Sequence, residues 1–263
     1  MRICYHRYMY SIFLYTAYSS LILFVVTFLI AVLLRNNGII DILWGLGFVA
    51  IAWVAYSFTE PSLAKNLILG YVTVWGLRLG LHIFLRNWGK GEDFRYQQMR
   101  ENWGRHWVIR SFIQVYLLQW VLMQIVSLPI VIGLTGNLAI SPQLLVPGMI
   151  IWLTGYFFEA VGDYQLTVFK KKKSSKGKLM TTGLWSLTRH PNYFGEATLW
   201  WGVALIAFGL SGNLLVFIGP ITIDFLLLFV SGIPMLEKKY AGRADWRAYA
   251  KKTPAFFPAL KVG

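Results

Sequence analysis

From Ser111 to Phe158 the chain runs 48 residues without a Lys, Arg, Asp or Glu. Two further uncharged stretches, Ser11–Leu34 and Ile42–Thr59, hold 24 and 18 residues. An α-helix needs about 20 apolar residues to cross a bilayer, so these stretches are long enough to span one. A soluble domain carries roughly a quarter charged residues, whereas here 14% of 263 residues are charged and 57% are hydrophobic. A disordered chain and an ordinary soluble globule are both excluded. The expectation is an all-α integral membrane protein, with residues 1–263 forming one transmembrane domain.

Turn residues divide the apolar sequence into seven expected helices, at about 11–34, 40–59, 66–86, 111–134, 144–168, 193–211 and 214–235. The dividers are Asn36-Asn37-Gly38, Glu60-Pro61-Ser62, Thr135-Gly136-Asn137, Ser141-Pro142 and Ser211-Gly212-Asn213. Ser11–Leu34 is too long for the apolar core of a cleavable signal and reads as a retained span. Cys4 is the single cysteine, which leaves no internal disulfide and no thiolate metal cluster.

Charge orients the bundle. Of 25 Lys and Arg, 21 fall on the side of the 1–2 loop, segments 86–110 and 170–190, and the tail 236–263. Only Arg2, Arg7 and Lys65 fall on the other side, and Arg78 lies inside helix 3. The positive-inside rule then predicts an outside N-terminus and a cytoplasmic C-terminus. The net charge of +14 has no soluble basic domain to hold nucleic acid. The run Lys170–Lys173 suits membrane lipid headgroups instead.

Function must come from the polar groups that the spans tolerate, because an ionisable side chain in lipid needs a partner, a water cavity or a task. Helix 3 carries Arg78, His82 and Arg86 at a four-residue spacing, on one face and ~12 Å from end to end at about 1.5 Å per residue. The stripe suits phosphates, or alternatively an anchoring Arg86 with Arg78 paired to a buried acid. Glu159 and Asp163, one turn apart on helix 5, suit arginine, ribose or amide partners and give no metal set. Thr188-Arg189-His190-Pro191-Asn192-Tyr193-Phe194-Gly195-Glu196 places a proline where a helix begins. Asn192 and Glu196 share a face there, and such a pair recognises a primary carboxamide. Asp41 reads as an N-cap of helix 2, and Asp224, mid-span in helix 7, as a buried hydrogen-bonding acid or a proton carrier. Segment 86–110 reads as a cytoplasmic loop, whose mixed-charge, glycine-bearing start Arg86–Tyr96 suits either a cover over a cofactor or a solvated connection.

Four of these segments, Trp75–Arg78, Arg86–Asp93, Glu159–Asp163 and Thr188–Glu196, together with Leu236-Glu237-Lys238, Tyr249 and Phe257-Pro258, resemble the bacterial DUF1295 branch of the steroid 5α-reductase family. The resemblance runs from Asp41 onward. It implies a seven-helix membrane fold that binds NADPH from the cytosol and reduces a carbon–carbon double bond conjugated to a carbonyl in a steroid-like or other lipophilic substrate. It places Arg86 at phosphate or ribose, and Asp163, Asn192 and Glu196 along the adenosine or nicotinamide. Arg78, Glu159, Arg189, His190 and Tyr193 complete the expected cofactor set. Animal members grip the substrate carbonyl with a Glu of helix 2 and a Tyr that follows the helix 3 histidine. This chain has Ile83 after His82, with Asp41 on helix 2, which leaves His82 or Tyr96 as the replacement donor. The pattern His-Pro-x-Tyr-x-Gly also occurs in isoprenylcysteine carboxyl methyltransferases. An S-adenosylmethionine-dependent membrane methyltransferase is therefore the second reading, and a non-catalytic lipid-binding protein the third.

Overall fold

The computed structural model describes the backbone from Arg2 to Ala259 and the side chains from residue 9 onward. Arg2, Cys4 and Arg7 lie outside the described side chains. Every regular element among the described residues is helical. Seven helical runs are long and apolar enough to cross a bilayer: Met9–Leu34, Ile39–Tyr56, Leu63–Asn87, Phe94–Val126, Pro142–Lys171, Pro191–Ser211 and Leu214–Tyr240. Their outward faces are apolar, as in Ile22, Leu29 and Leu33 on the first run, which are 62%, 55% and 82% exposed. In water such a surface is a liability, and in lipid it is the ordinary exterior. These features fit an integral, multi-pass membrane protein.

The helices are α1 (Arg2–Leu34), α2 (Ile39–Tyr56), α3 (Leu63–Asn87), α4 (Phe94–Trp103), α5 (Trp107–Ser111), α6 (Leu118–Val126), α7 (Leu128–Thr135), α8 (Pro142–Lys171), α9 (Pro191–Ser211), α10 (Ile218–Phe225), α11 (Ile233–Tyr240) and α12 (Ala244–Lys252). π-Helical turns at Phe112–Leu117 and Leu226–Val230 join α5 to α6 and follow α10.

Three helical limits differ from the sequence expectation. The fourth run starts at Phe94, well before residue 111, so most of the segment read as a connecting loop is helix. Asp93 explains the early start, since its carboxylate accepts from the Arg95 N–H at 3.0 Å and caps α4. The same run ends at Val126, because Pro129 sits in the first turn of a new helix, α7, whose residues Pro129–Thr135 are all buried. The seventh run breaks at Ser231-Gly232, where a Cβ on Gly232 would lie 2.4 Å from the Leu227 carbonyl oxygen.

The chain divides into two compact units, Met1–Ser141 with Ile206–Ile218, and Pro142–Leu205 with Gly219–Gly263. In the first, α2 and α3 cross at Gly45 and Gly76. A Cβ on either would come within 2.5 Å of the other's carbonyl oxygen, so only glycine permits this approach. Trp75, Phe48 and Ile51 fill the core beside the crossing. In the second unit, α8 and α9 meet along Gly148, Gly155 and Gly162 on one side and Gly195 and Gly202 on the other. A Cβ on Gly195 would lie 2.3 Å from the Glu159 backbone nitrogen. This contact sets the start of α9 directly against the Glu159–Asp163 turn of α8.

Candidate functional site

The first unit holds an acid–tyrosine pair. Tyr96 Oη donates to Asp41 Oδ1 at 2.6 Å, and Arg95 Nη2 donates to Asp41 Oδ2 at 3.0 Å. Each carboxylate oxygen of Asp41 is thus held by a different donor. Arg95 is fixed in turn by Asp93, through Nε at 2.9 Å and Nη2 at 3.3 Å. Burial raises the Asp93 carboxyl, but hydrogen bonds and charge from Arg95, with the Arg86 charge, outweigh it and hold the group below the usual carboxylate range. Tyr96 itself is buried.

The N-cap expectation for Asp41 is overturned. Gly38 occupies that position without a side-chain cap, and Asp41 lies inside the first turn of α2. Its carboxylate turns away from the helix terminus because Arg95 and Tyr96 offer charge-assisted bonds, which are stronger than a neutral cap. Below the pair, Glu92 accepts from the Asn37 N–H at 2.7 Å and meets Arg100 at 2.6 Å, which ties the α1–α2 turn to α4. Tyr116, on the first π-turn, is 1% exposed, and its hydroxyl has no hydrogen-bond partner among the described residues. Such turns are frequent at functional sites.

On α3, Arg78 and His82 are half-buried and Arg86 is exposed at the end of the helix. Arg86 Nε donates to Asn87 Oδ1 at 3.3 Å, and Lys90 donates to the Arg86 carbonyl. These three residues belong to the first unit.

The second unit assembles the Thr188–Glu196 string. Helix α9 begins at Pro191, as its sequence requires. Asn192 Nδ2 donates to Asp163 Oδ1 at 3.2 Å, which joins two of the expected cofactor residues across α8 and α9. Glu159 is 2% and Asp163 8% exposed, while Asn192, Tyr193 and Glu196 are half-buried. Arg189 is spent within the protein. Its Nε and Nη2 donate to Glu237 at 2.8 and 2.6 Å, and its Nη1 donates to the carbonyls of Ala250 and Thr253 at 3.0 and 2.6 Å. The backbone N–H of Arg189 donates to Pro254 O, and Ala259 N–H to Leu187 O, so the tail is tied to the start of α9. Phe256 and Phe257 add ring contacts to Phe194.

His190 is 3% exposed and stacks on Tyr193, with ring centroids 5.4 Å apart. Burial pushes its imidazole down to about 4, against a smaller opposing pull from Glu237, whose Oε1 lies 3.4 Å from Nε2. At neutral pH the ring is uncharged. Asp224 is half-buried and accepts from Trp201 Nε1 at 2.9 Å, a hydrogen bond on the exposed side of the helices where the sequence predicts a buried one. No cluster of three or more His, Cys, Asp or Glu suited to a metal occurs among the described residues.

Glu237 and Arg95 complete these networks without any local motif to announce them. Glu237 was visible only as part of the Leu236-Glu237-Lys238 ending.

The family described as "Protein of unknown function (DUF1295)" matches residues 27–253. The chain belongs to the DUF1295 family. It is also 41% identical over 76 residues to the probable O-methyltransferase ustE of Ustilaginoidea virens, a match covering 28% of this chain and 26% of that relative. The match thus spans about a quarter of that relative's length. No solved structure matches the chain.

Proposed function

We propose that this DUF1295 protein is an NADPH-dependent membrane reductase of the steroid 5α-reductase type, acting on a carbon–carbon double bond conjugated to a carbonyl in a steroid-like or other lipophilic substrate. The Tyr96–Asp41 hydrogen bond carries this reading. The resemblance calls for a helix 2 acid paired with a tyrosine, and this chain supplies that chemistry with Asp for Glu and with a tyrosine from α4.

The residues fit the cofactor by their chemistry. Arg86 presents an exposed guanidinium suited to phosphate. Asn192 and Glu196 offer the donor and acceptors that a carboxamide needs, with Asp163 fixing the Asn192 amide. Bound NADPH would supply the hydride. Tyr96 turns its O–H from Asp41 to the substrate carbonyl oxygen, where negative charge develops as the β-carbon is reduced. Asp41, held by Arg95, keeps the phenol oriented. The α-carbon then takes one proton from solvent, and one saturated carbonyl compound leaves. Substrate enters from lipid and cofactor from the cytoplasmic side, where the positive-inside bias puts the tail.

The ustE match favours a second reading, methyl transfer from S-adenosylmethionine. The phosphate-suited Arg86 argues against it, since S-adenosylmethionine carries no phosphate. Purified protein incubated with NADPH and lipophilic enones tests the proposal. Enone-dependent NADPH oxidation, lost in Tyr96→Phe, supports it, and absence of oxidation across a broad enone panel counts against it.

A further inference from the structure

The first unit contains a cavity of about 350 Å³ lined by Arg35, Arg100, Gly104 and Trp107, apart from the Asp41–Tyr96 pair. We propose that it holds the phosphodiester headgroup of an anionic membrane lipid, and this inference is independent of the reductase reading.

Backbone conformation at Arg35 supplies the first argument. Arg35 closes α1 with two paired bonds, Arg35 N–H to Val32 O at 3.2 Å and Asn36 N–H to Ala31 O at 2.9 Å. That motif puts Arg35 in the left-handed region, at φ 50°, where glycine is the usual residue. It is the single non-glycine residue with positive φ among the described residues. An arginine held where glycine is easier points to a task for its side chain. The Arg35 guanidinium is exposed and has no hydrogen-bond or ion-pair partner among the described residues.

Charge supplies the second argument. The lining carries two guanidinium groups and no acid. Arg100 is already oriented, with Nη1 on the Arg35 carbonyl at 2.6 Å, Nη2 on Glu92 at 2.6 Å, and its guanidinium 5.8 Å from the Trp107 ring centroid. Arg35 therefore brings the uncompensated charge, and Arg100 brings a fixed planar donor beside it.

Surroundings select a lipid over a free anion. The lining residues continue directly into exposed apolar side chains, Leu33 and Leu34 at 82% and 65% and Ile109 at 64%. Acyl chains can lie on these while the phosphate sits between the arginines. Ligand pockets run from roughly 300 to 1,000 Å³, so this cavity takes a headgroup and leaves the chains outside.

Native mass spectrometry of detergent-purified protein titrated with phosphatidylglycerol tests the site, with Arg35→Gly as the key variant. Glycine suits the backbone at this position, so the variant should melt at or above the parent's temperature. The parent should hold one tightly bound phosphatidylglycerol, and Arg35→Gly should weaken it by about tenfold, the share of one charge-assisted contact. Lys251→Gln, which removes one exposed charge on α12, should stay within about twofold of the parent. Millimolar inorganic phosphate should not displace the lipid. Parent-like binding by Arg35→Gly, or an equal loss in Lys251→Gln, would overturn the site in favour of diffuse attraction. Full displacement by inorganic phosphate would overturn the lipid as its occupant.

Discussion

Tyr96 and Asp41 lie 55 positions apart in sequence and 2.6 Å apart in space, phenol to carboxylate. The bond depends on α4 beginning at Phe94, because that start turns Tyr96 toward the first turn of α2. Tyr96→Phe removes one O–H and changes little else. Turnover of an enone should fall about 100-fold or more, the usual share of one preorganised donor at a developing oxyanion. NADPH affinity should stay within about twofold. A fall in affinity with turnover per bound cofactor unchanged would assign Tyr96 to cofactor binding.

Tyr116 offers a sharper separation of function from stability. Its buried hydroxyl has no hydrogen-bond partner among the described residues, and such a group costs a fold about 1–3 kcal/mol. Tyr116→Phe should therefore raise the melting temperature. If the hydroxyl meets substrate, the same variant should raise KM several-fold. A lowered melting temperature would show that the hydroxyl is already satisfied in the resting protein.

Cofactor binding should depend on the face that begins α9. Asn192→Ala removes the amide that bonds Asp163, and Glu196→Gln removes a carboxylate one turn on. Each should weaken NADPH by roughly 10- to 150-fold, the equivalent of about 1.5–3 kcal/mol for a hydrogen bond to a charged group. Cofactor titration and thermal melting on the same samples separate binding from folding. Unchanged affinity in both variants would reduce this face to a helix start.

How much of this was legible in sequence differs by residue. The seven spans follow from apolar length, and Pro191 marks the start of α9 on its own. The α4 start was hidden because mixed charges between Arg86 and Arg110 read as a solvated connection. Only the Asp93 cap and the tertiary bonds of Arg95 and Arg100 reveal it as helix. Arg189 shows the opposite failure. It sits in the richest motif of the chain, yet its donors go to Glu237, 48 positions away, and to two tail carbonyls. Long-range partners of this kind leave no periodic trace.

Acid should destabilise the second unit through His190. Burial holds its folded-state pKa near 4, below the unfolded value of about 6.5. Between these values the unfolded chain binds a proton that the native state refuses, so stability falls as pH drops from about 6.5 to about 4 and levels off below. The full difference corresponds to about 3 kcal/mol. Melting temperature measured across that window should decline in the parent and decline less in His190→Gln. Equal slopes in the two proteins would mean that His190 is already protonated in the fold.

Equilibrium binding of NADPH and of S-adenosylmethionine to the same detergent-purified protein bears most directly on the central assignment. Saturable NADPH binding, weakened in Arg86→Ala and flattened there in its salt dependence because a screened attraction is lost, is the result expected of the reductase. Tight S-adenosylmethionine binding with no NADPH binding would contradict it and establish the methyltransferase reading.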